Sequence, residues 1–315
     1  MDTKPRLNLP FTGISSFSCT PIVADLDELQ ADIAVYGMPF DLGTQYRSGA
    51  RFGPRGIREG SRLCSVSPKT AYDHEEDEHY FGPDWTIVDC GDADMVHGDL
   101  EQCFDSIRDM VRAIASKGAI PAGMGGDHSV TIAALEGLAD QGPFTVVQFD
   151  AHLDFVDDRH GQKNGQGSPM RRAAEMSHVN GMAQLGIRGT GSSGYQDFVD
   201  AKDYGSVILS VQQIRKIGIE ETLKRIPQDD KYYVTIDIDG MDAPLCPGTG
   251  TPSPGGFYYN EVRALLKGIA AKGDIIGFDM VEVAPVYDHS EITTQLAARM
   301  MVDVMAFILK EKENR

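Results

Sequence analysis

Short apolar runs alternate with longer amphipathic stretches along this chain. "DIAVYGM" (32–38), "TIVDCGD" (86–92), "AIPAGMG" (119–125) and "FTVVQFD" (144–150) read as buried strands. So do "MAQLGI" (182–187), "SVILS" (206–210), "KYYVTIDID" (231–239) and "DIIGFDMVEV" (274–283). Their apolar positions are nearly continuous, the pattern of strands covered on both faces. Helical patterns lie between several of them. In "DLEQCFDSIRDMVRAIASKG", Asp99 sits at an N-cap with Gln102 three residues on. Phe104, Ile107, Val111, Ile114 and Ala115 share one face, and Gly118 stands at the stop. A last helix is expected from about Glu291 into the charged tail "LKEKENR".

Eight strands alternating with helices predict an α/β fold built on a mostly parallel sheet covered on both faces. No linker, low-complexity segment or internal repeat interrupts the pattern, so residues 1–315 are expected to form a single domain. In such sheets ligands bind beyond the carboxyl ends of the strands. The polar residues gather there. "GGDHS" follows the 119–125 strand, "DAHLD" ends the 144–150 strand, "DIDGMD" ends the 231–239 strand and "EVAP" ends the 274–283 strand.

Composition narrows the partners. The net charge of −18 lacks the basic footprint of a nucleic-acid binder. It suits a cationic ligand, although surplus carboxylates also serve solubility. The densest acidic run, "DHEEDEH" (73–79), reads as a solvated loop, with a metal role for His74 and His79 the remote alternative. Five scattered cysteines with no C-x-x-C pair fit reduced thiols and give no thiolate zinc site. No apolar run looks long enough to cross a membrane, and "MDTKPRLNLPF" has no signal-type stretch, so a cytoplasmic location is expected.

The candidate chemistry is metal binding. In an extended segment, side chains at i, i+2 and i+4 share one face, which would aim Asp150, His152 and Asp154 the same way. Asp237 and Asp239 repeat the device with two carboxylates. Asp127 and His128 lie on a glycine-rich turn opening a helix. Any one of these motifs could serve as a cap or a salt bridge. All three at strand ends argue for a bound cation that neutralises the carboxylates. Carboxylate and imidazole without thiolate suit Mn²⁺, Co²⁺, Ni²⁺ or Zn²⁺ over Ca²⁺, without choosing among them.

The motifs resemble those of the ureohydrolases, the arginase and agmatinase family. The matching pieces are "GMPFDLGTQYRSGARFGPRGIR" (37–58), "GMGGDHSVT" (123–131), "DAHLD" (150–154), "TIDIDGMD" (235–242), "PGTGTPSPGG" (247–256) and "GFDMVEVAP" (277–285), in family order over nearly the whole chain. The resemblance implies a three-layer α/β/α domain with an eight-stranded parallel sheet, and trimeric or hexameric assembly. It also implies two divalent ions, usually manganese. One would be held by His128, Asp150, Asp154 and Asp237, the other by His152, Asp150, Asp237 and Asp239. Two cations acidify a shared water, which suits attack on a guanidinium carbon. The products would be urea or a substituted urea with an amine or ammonia. Asp154 would relay a proton to the leaving nitrogen. Glu282 resembles the family carboxylate that pairs with the guanidinium, its plainer alternative being a strand-end salt bridge.

One position departs from the family. Many agmatinase-type members carry a histidine before a glycine on the loop after "DAHLD", where this chain has Gln166 in "GQGSPMRRAAE". Glutamine cannot titrate. Three explanations remain: the proton passes through Asp154 and water, His160 reaches in from upstream, or the chain supports an active paralogue in a mixed oligomer. The first is preferred because all six metal ligands are intact. Agmatine is the family's default substrate. The loop also resembles relatives acting on guanidine or small guanidino and biguanide compounds such as metformin, some with nickel. Arg171 and Arg172 are read as substrate-carboxylate contacts or as salt bridges.

Overall fold

The computed structural model describes residues 9–67 and 71–314. All eight expected strands form, and they make one wholly parallel sheet. In chain order the strands are β1 (Ile33–Gly37), β2 (Tyr72–Asp73), β3 (Glu78–His79), β4 (Ile87–Asp92), β5 (Ile120–Met124), β6 (Phe144–Phe149), β7 (Val179–Leu185), β8 (Val207–Leu209), β9 (Lys231–Asp237) and β10 (Asp274–Val281). The large sheet runs β4-β1-β5-β10-β9-β6-β7-β8. The chain builds one half first, crosses to β6, works outward, and returns with β9 and β10 to fill the middle. The strand order therefore reverses at the centre, where open α/β sheets place their ligands. The four central strands, β5, β10, β9 and β6, are those that end in the polar motifs.

Two apolar clusters, one on each face, cover the sheet. One joins Val35, Val147, Val234 and Phe278 to Ile269, Met301 and Val304. The other joins Tyr36, Val146, Met182 and Tyr233 to Phe104, Val111 and Leu135. The second cluster takes the buried stripe of helix Leu100–Ser116, whose Phe104, Ile107, Val111 and Ile114 face inward, with Ala115 half-buried. Asp99 caps this helix, accepting a 3.0 Å hydrogen bond from the Gln102 amide. Gly118 follows in a left-handed conformation at φ 81°. Asp99→Ala should cost about 1 kcal/mol of stability, seen as a lowered Tm with unchanged metal content.

Two expectations need correction. The acidic run is not a free loop. It forms the antiparallel β2–β3 hairpin, with Asp73 and Glu76 on Arg263, Glu76 on Lys267 and Glu78 on Lys310. Three of its acids are held by basic partners far along the chain, while Glu75 and Asp77 stay exposed as expected. The second concerns apolar length. Helix Ile292–Asn314 is apolar enough over its best stretch to match a membrane span, at mean hydropathy 1.4, yet 78% of that stretch is buried in the fold. It is a core helix, packed on the 53–61 and 259–272 helices.

Candidate metal centre

The ligand motifs converge beyond the central strands. His128 lies on the turn after β5, before helix Val130–Gly137. That turn runs hard against the backbone of residue 40: a Cβ at Gly126 would stand 1.7 Å from the Phe40 carbonyl oxygen, so only glycine fits. Asp127 does not point at the centre. It ties the turn down, accepting from the Ser129 amide (3.0 Å), the Gly43 amide (2.8 Å) and Thr44 Oγ1 (3.3 Å).

Asp150, His152 and Asp154 do reach one crevice, in two groups that share Asp150, though not by extended alternation. The chain bends as soon as β6 ends, and Asp154 sits in the left-handed region at φ 51°. Glu282 does the same at φ 62°. Such backbone costs about 1–3 kcal/mol per residue and persists only where surroundings enforce it. Here it aims two carboxylates into the crevice.

His128 Nδ1 lies 2.9 Å from Asp154 Oδ2, 3.1 Å from Asp150 Oδ2 and 3.4 Å from Asp237 Oδ2. None of these oxygens is placed to hydrogen-bond it, so this buried nitrogen has no hydrogen-bond partner. Nε2 is 3.0 Å from Thr235 Oγ1. Donation from Nε2 leaves the Nδ1 lone pair facing three carboxylate oxygens, the state a metal-binding imidazole requires. His152 Nδ1 lies 3.1 Å from Asp239 Oδ2 and 3.5 Å from Asp150 Oδ1. Two ligand groups result, His128–Asp150–Asp154 and Asp150–His152–Asp239, sharing Asp150.

The electrostatics of this cluster call for cations. Burial disfavours charge on both imidazoles, yet the surrounding carboxylates outweigh it and push them up, His152 to about 12. Burial, with the charges of Asp239 and Asp150, drives the Asp237 carboxyl well above its ordinary range. Burial and Asp150 raise Asp154 to about 6. Asp150 goes down despite burial, because the imidazoles of His128 and His152 lie against it. The cluster thus favours positive charge at the positions where divalent ions would fit. The donor set and the orphaned nitrogen both fit such ions.

Sequence reasoning missed the residues beneath the ligands. Gln148 Nε2 donates to Asp150 Oδ2 at 2.6 Å, and Gln184 Nε2 donates to Gln148 Oε1 at 2.7 Å. Asp279, fully buried, accepts from Thr131 Oγ1 (2.8 Å) and the Tyr233 hydroxyl (2.7 Å). Thr235 pairs in register with Gln148 and Asp279 on its two neighbouring strands, and Gln148 with Gln184. A polar row therefore crosses four strands just inside their ends. A polar residue inside an otherwise apolar strand was the available signal. Thr251 donates to Asp239 Oδ2 (2.8 Å), and Arg188 donates to the Asp239 carbonyl (2.8 Å) and to carbonyls around it.

The remaining expected site residues lie on or beside the loop after Asp154. Glu282 is buried beside the centre, its Oε1 accepting from the His128 amide at 2.9 Å. Burial and the charge of Asp127 push its carboxyl well up. Gln166 is half-buried, and its backbone N–H donates to the Gly43 carbonyl at 3.3 Å. His160 is exposed, at φ 56°, on the wall of an outer cavity. Arg171 and Arg172 are spoken for: Arg171 pairs with Asp200 and Glu175, Arg172 with Asp157 and Glu175.

Residues 31–307 match the model of the arginase family. The chain belongs to the arginase family. The agmatinase of Bacillus subtilis (strain 168) is 36% identical over 287 residues, which cover 89% of this chain and 93% of that one. A guanidinopropionase of Pseudomonas aeruginosa is 33% identical over 309 residues, covering 95% and 92%. The solved structure of a proclavaminate amidinohydrolase from Streptomyces clavuligerus matches with a TM-score of 0.86 at 32% identity, covering 96% and 99%. As a family member with both ligand groups in place, the chain is a binuclear metal-dependent amidinohydrolase acting on guanidino C–N bonds.

Proposed function

We propose that this enzyme hydrolyses a small guanidino compound, releasing urea or a substituted urea with an amine or ammonia. The observation that carries the reading is the buried His128 Nδ1, left without a hydrogen-bond partner among three carboxylates. One ion would be held by His128, Asp150, Asp154 and Asp237, and the other by His152, Asp150, Asp237 and Asp239. When bound, such ions supply the Lewis acidity that makes water nucleophilic near neutral pH. Mn²⁺ is the family default and Ni²⁺ the alternative.

The chain's own groups do the rest. Glu282, at the floor of the crevice, pairs with the planar guanidinium through two carboxylate oxygens. Asp154 sits at the ligand cluster and carries a proton to the leaving nitrogen. Water adds to the guanidinium carbon, the C–N bond breaks, and the nitrogen leaves protonated. Agmatine, guanidine and biguanides all present the planar cation this arrangement takes. Urea release from agmatine, guanidine, 4-guanidinobutyrate, arginine and metformin, measured with Mn²⁺ and with Ni²⁺, tests the reading. Release from none of them with either metal would sink it.

Gln166 orients substrate, and no imidazole of its loop carries the essential proton. The exposure of His160 supports this, since a proton shuttle works at the reacting atoms. His160→Ala should keep most of the activity. Gln166→Ala should mainly raise KM, and Gln166→His should stay folded and metal-bound. Loss of activity in His160→Ala with metal retained would make His160 the shuttle. Activity appearing only when a homologous chain is added would favour the partner-subunit reading. We also place the enzyme in the cytoplasm as a homotrimer or homohexamer. The five free cysteines suit a reducing compartment, and light scattering reads the assembly.

A further inference from the structure

We propose that Arg159 makes the cavity outside the metal centre a carboxylate subsite, so that the preferred substrate is an ω-guanidino acid and not its amine counterpart, agmatine. This rests on the guanidino-hydrolase reading and names the other end of the substrate.

The cavity is about 390 Å³ and is lined by Thr44, Gln45, Arg159, His160, Gln162 and Ser168, with glycines and Leu42. Both of its walls hang from the metal centre. On one side, the Gly43 amide is held by Asp127, the residue before His128. A Cβ at Gly43 would stand 2.7 Å from Ser129 Oγ and 3.0 Å from the Asp127 carboxylate, so the wall lies directly on the His128 turn. On the other side, the Met170 amide bonds to the Asp154 carbonyl at 3.0 Å, two residues beyond Ser168. A substrate with its guanidinium at Glu282 extends its tail between these walls.

The lining contains no aspartate or glutamate, and its only permanent charge is Arg159. The guanidinium lies over Gly167, next to Gln166: a Cβ there would be 3.9 Å from Nη1. Nη1 donates to Gln45 Oε1 at 2.9 Å, and Nη2 donates to the Ser192 carbonyl. Both acceptors are neutral. Among the described residues, no carboxylate ion-pairs with Arg159, whereas Arg51, Arg171 and Arg172 around the same loops all have one. Arg47, on the loop of Gln45, also has no carboxylate, but its guanidinium stacks on the Tyr287 ring, whereas that of Arg159 is half-exposed on the cavity wall. Arg188 also meets only neutral carbonyls, but it spends its donors on six of them. A guanidinium has five N–H donors, so the two bonds of Arg159 leave others for a ligand. A carboxylate matches that fork with charge-assisted bonds. The ammonium of agmatine would meet a like charge and find no anionic partner on these walls.

The test uses the full-length, metal-loaded enzyme with 4-guanidinobutyrate and agmatine, which differ chiefly in the charge of the tail. The wild type should favour the acid in kcat/KM by about tenfold or more. Arg159→Gln should raise KM for the acid roughly tenfold to hundredfold with little change in kcat, and Arg159→Lys should recover part of the preference. Butyrate should inhibit the wild type competitively where butylamine does not, a measurement that needs no variant. Preference for agmatine, equal inhibition by the two tails, or a variant that loses both substrates in proportion would each overturn the carboxylate subsite. If the wild type hydrolyses none of agmatine, guanidine, 4-guanidinobutyrate, arginine and metformin with either metal, the functional reading falls. Calorimetric binding of 4-guanidinobutyrate, present in the wild type and lost in Arg159→Gln, then still decides the subsite, and no binding overturns it.

Discussion

Asp150→Asn should give a folded protein that neither hydrolyses guanidino compounds nor retains its metal. Asp150 is the residue common to both ligand groups, with one oxygen near His128 and the other near His152. Asparagine keeps the shape and one carbonyl oxygen, but its second ligand atom becomes an amide nitrogen with no lone pair to give. It also loses the charge that favours both ions. The surrounding bonds survive in part, since the His152 amide, 2.6 Å from Oδ1, can still find an acceptor. In the metal-free state Asp150 is held ionised by the two histidines against its burial, so removing its charge should lower apoprotein Tm. Metal should then no longer raise Tm. Saturation at 100 times Kd is worth about 2.7 kcal/mol of stability per site, and that increment should vanish. Asp237→Asn should lose activity and metal likewise, but its apoprotein Tm should hold or rise, because burial and the charges of Asp239 and Asp150 disfavour its ionised form. Elemental analysis finding two ions per chain in either variant would remove the shared-ligand assignment.

Glu282→Gln should lower kcat/KM about tenfold to hundredfold with metal content and Tm unchanged. Losing a charge-assisted bond costs about 1.5–3 kcal/mol, and that loss falls on catalytic efficiency when it concerns the bound cation. Glutamine can still accept from the His128 amide, which separates the two roles of Glu282. The Glu282 amide, on the Gly126 carbonyl at 2.8 Å, is untouched. A fall in metal affinity or Tm in step with activity would make Glu282 a brace for the His128 turn. Unchanged kinetics would leave it no part in substrate binding.

The sheet was legible because its strands are covered on both faces, and such strands appear in the sequence as unbroken apolar runs. The candidate ligand cluster was legible because charged residues gathered after those runs have few other reasons to be there. What stayed hidden depends on distance along the chain. The partners of Asp73 and Glu76, Arg263 and Lys267, lie far away in sequence. A run of acids therefore looked like a solvated loop. The turn of Asp154 into left-handed backbone is enforced by surroundings that no local pattern encodes. The short span from Asp150 to Asp154 suggested an alternation that the structure replaces with a bend. Arg159 gave no signal at all, since its meaning lies in the absence of an acid on walls built from two separate loops.

The polar row beneath the ligands bears on how the enzyme is assembled. Apolar parallel strands can slide past one another at little cost in contact area, and a one-residue slip turns every side chain to the opposite face. Gln184, Gln148, Thr235 and Asp279 sit at matched positions on β7, β6, β9 and β10. Only one alignment lets them meet, and any slip strands a buried carboxylate or amide among hydrocarbon. Asp150 and Asp237 each stand two residues beyond a member of this row. The row thus fixes strand register in the folded sheet. The spacing between Asp150 and Asp237 is therefore a property of the strand register, held by groups that do not themselves touch the metal positions.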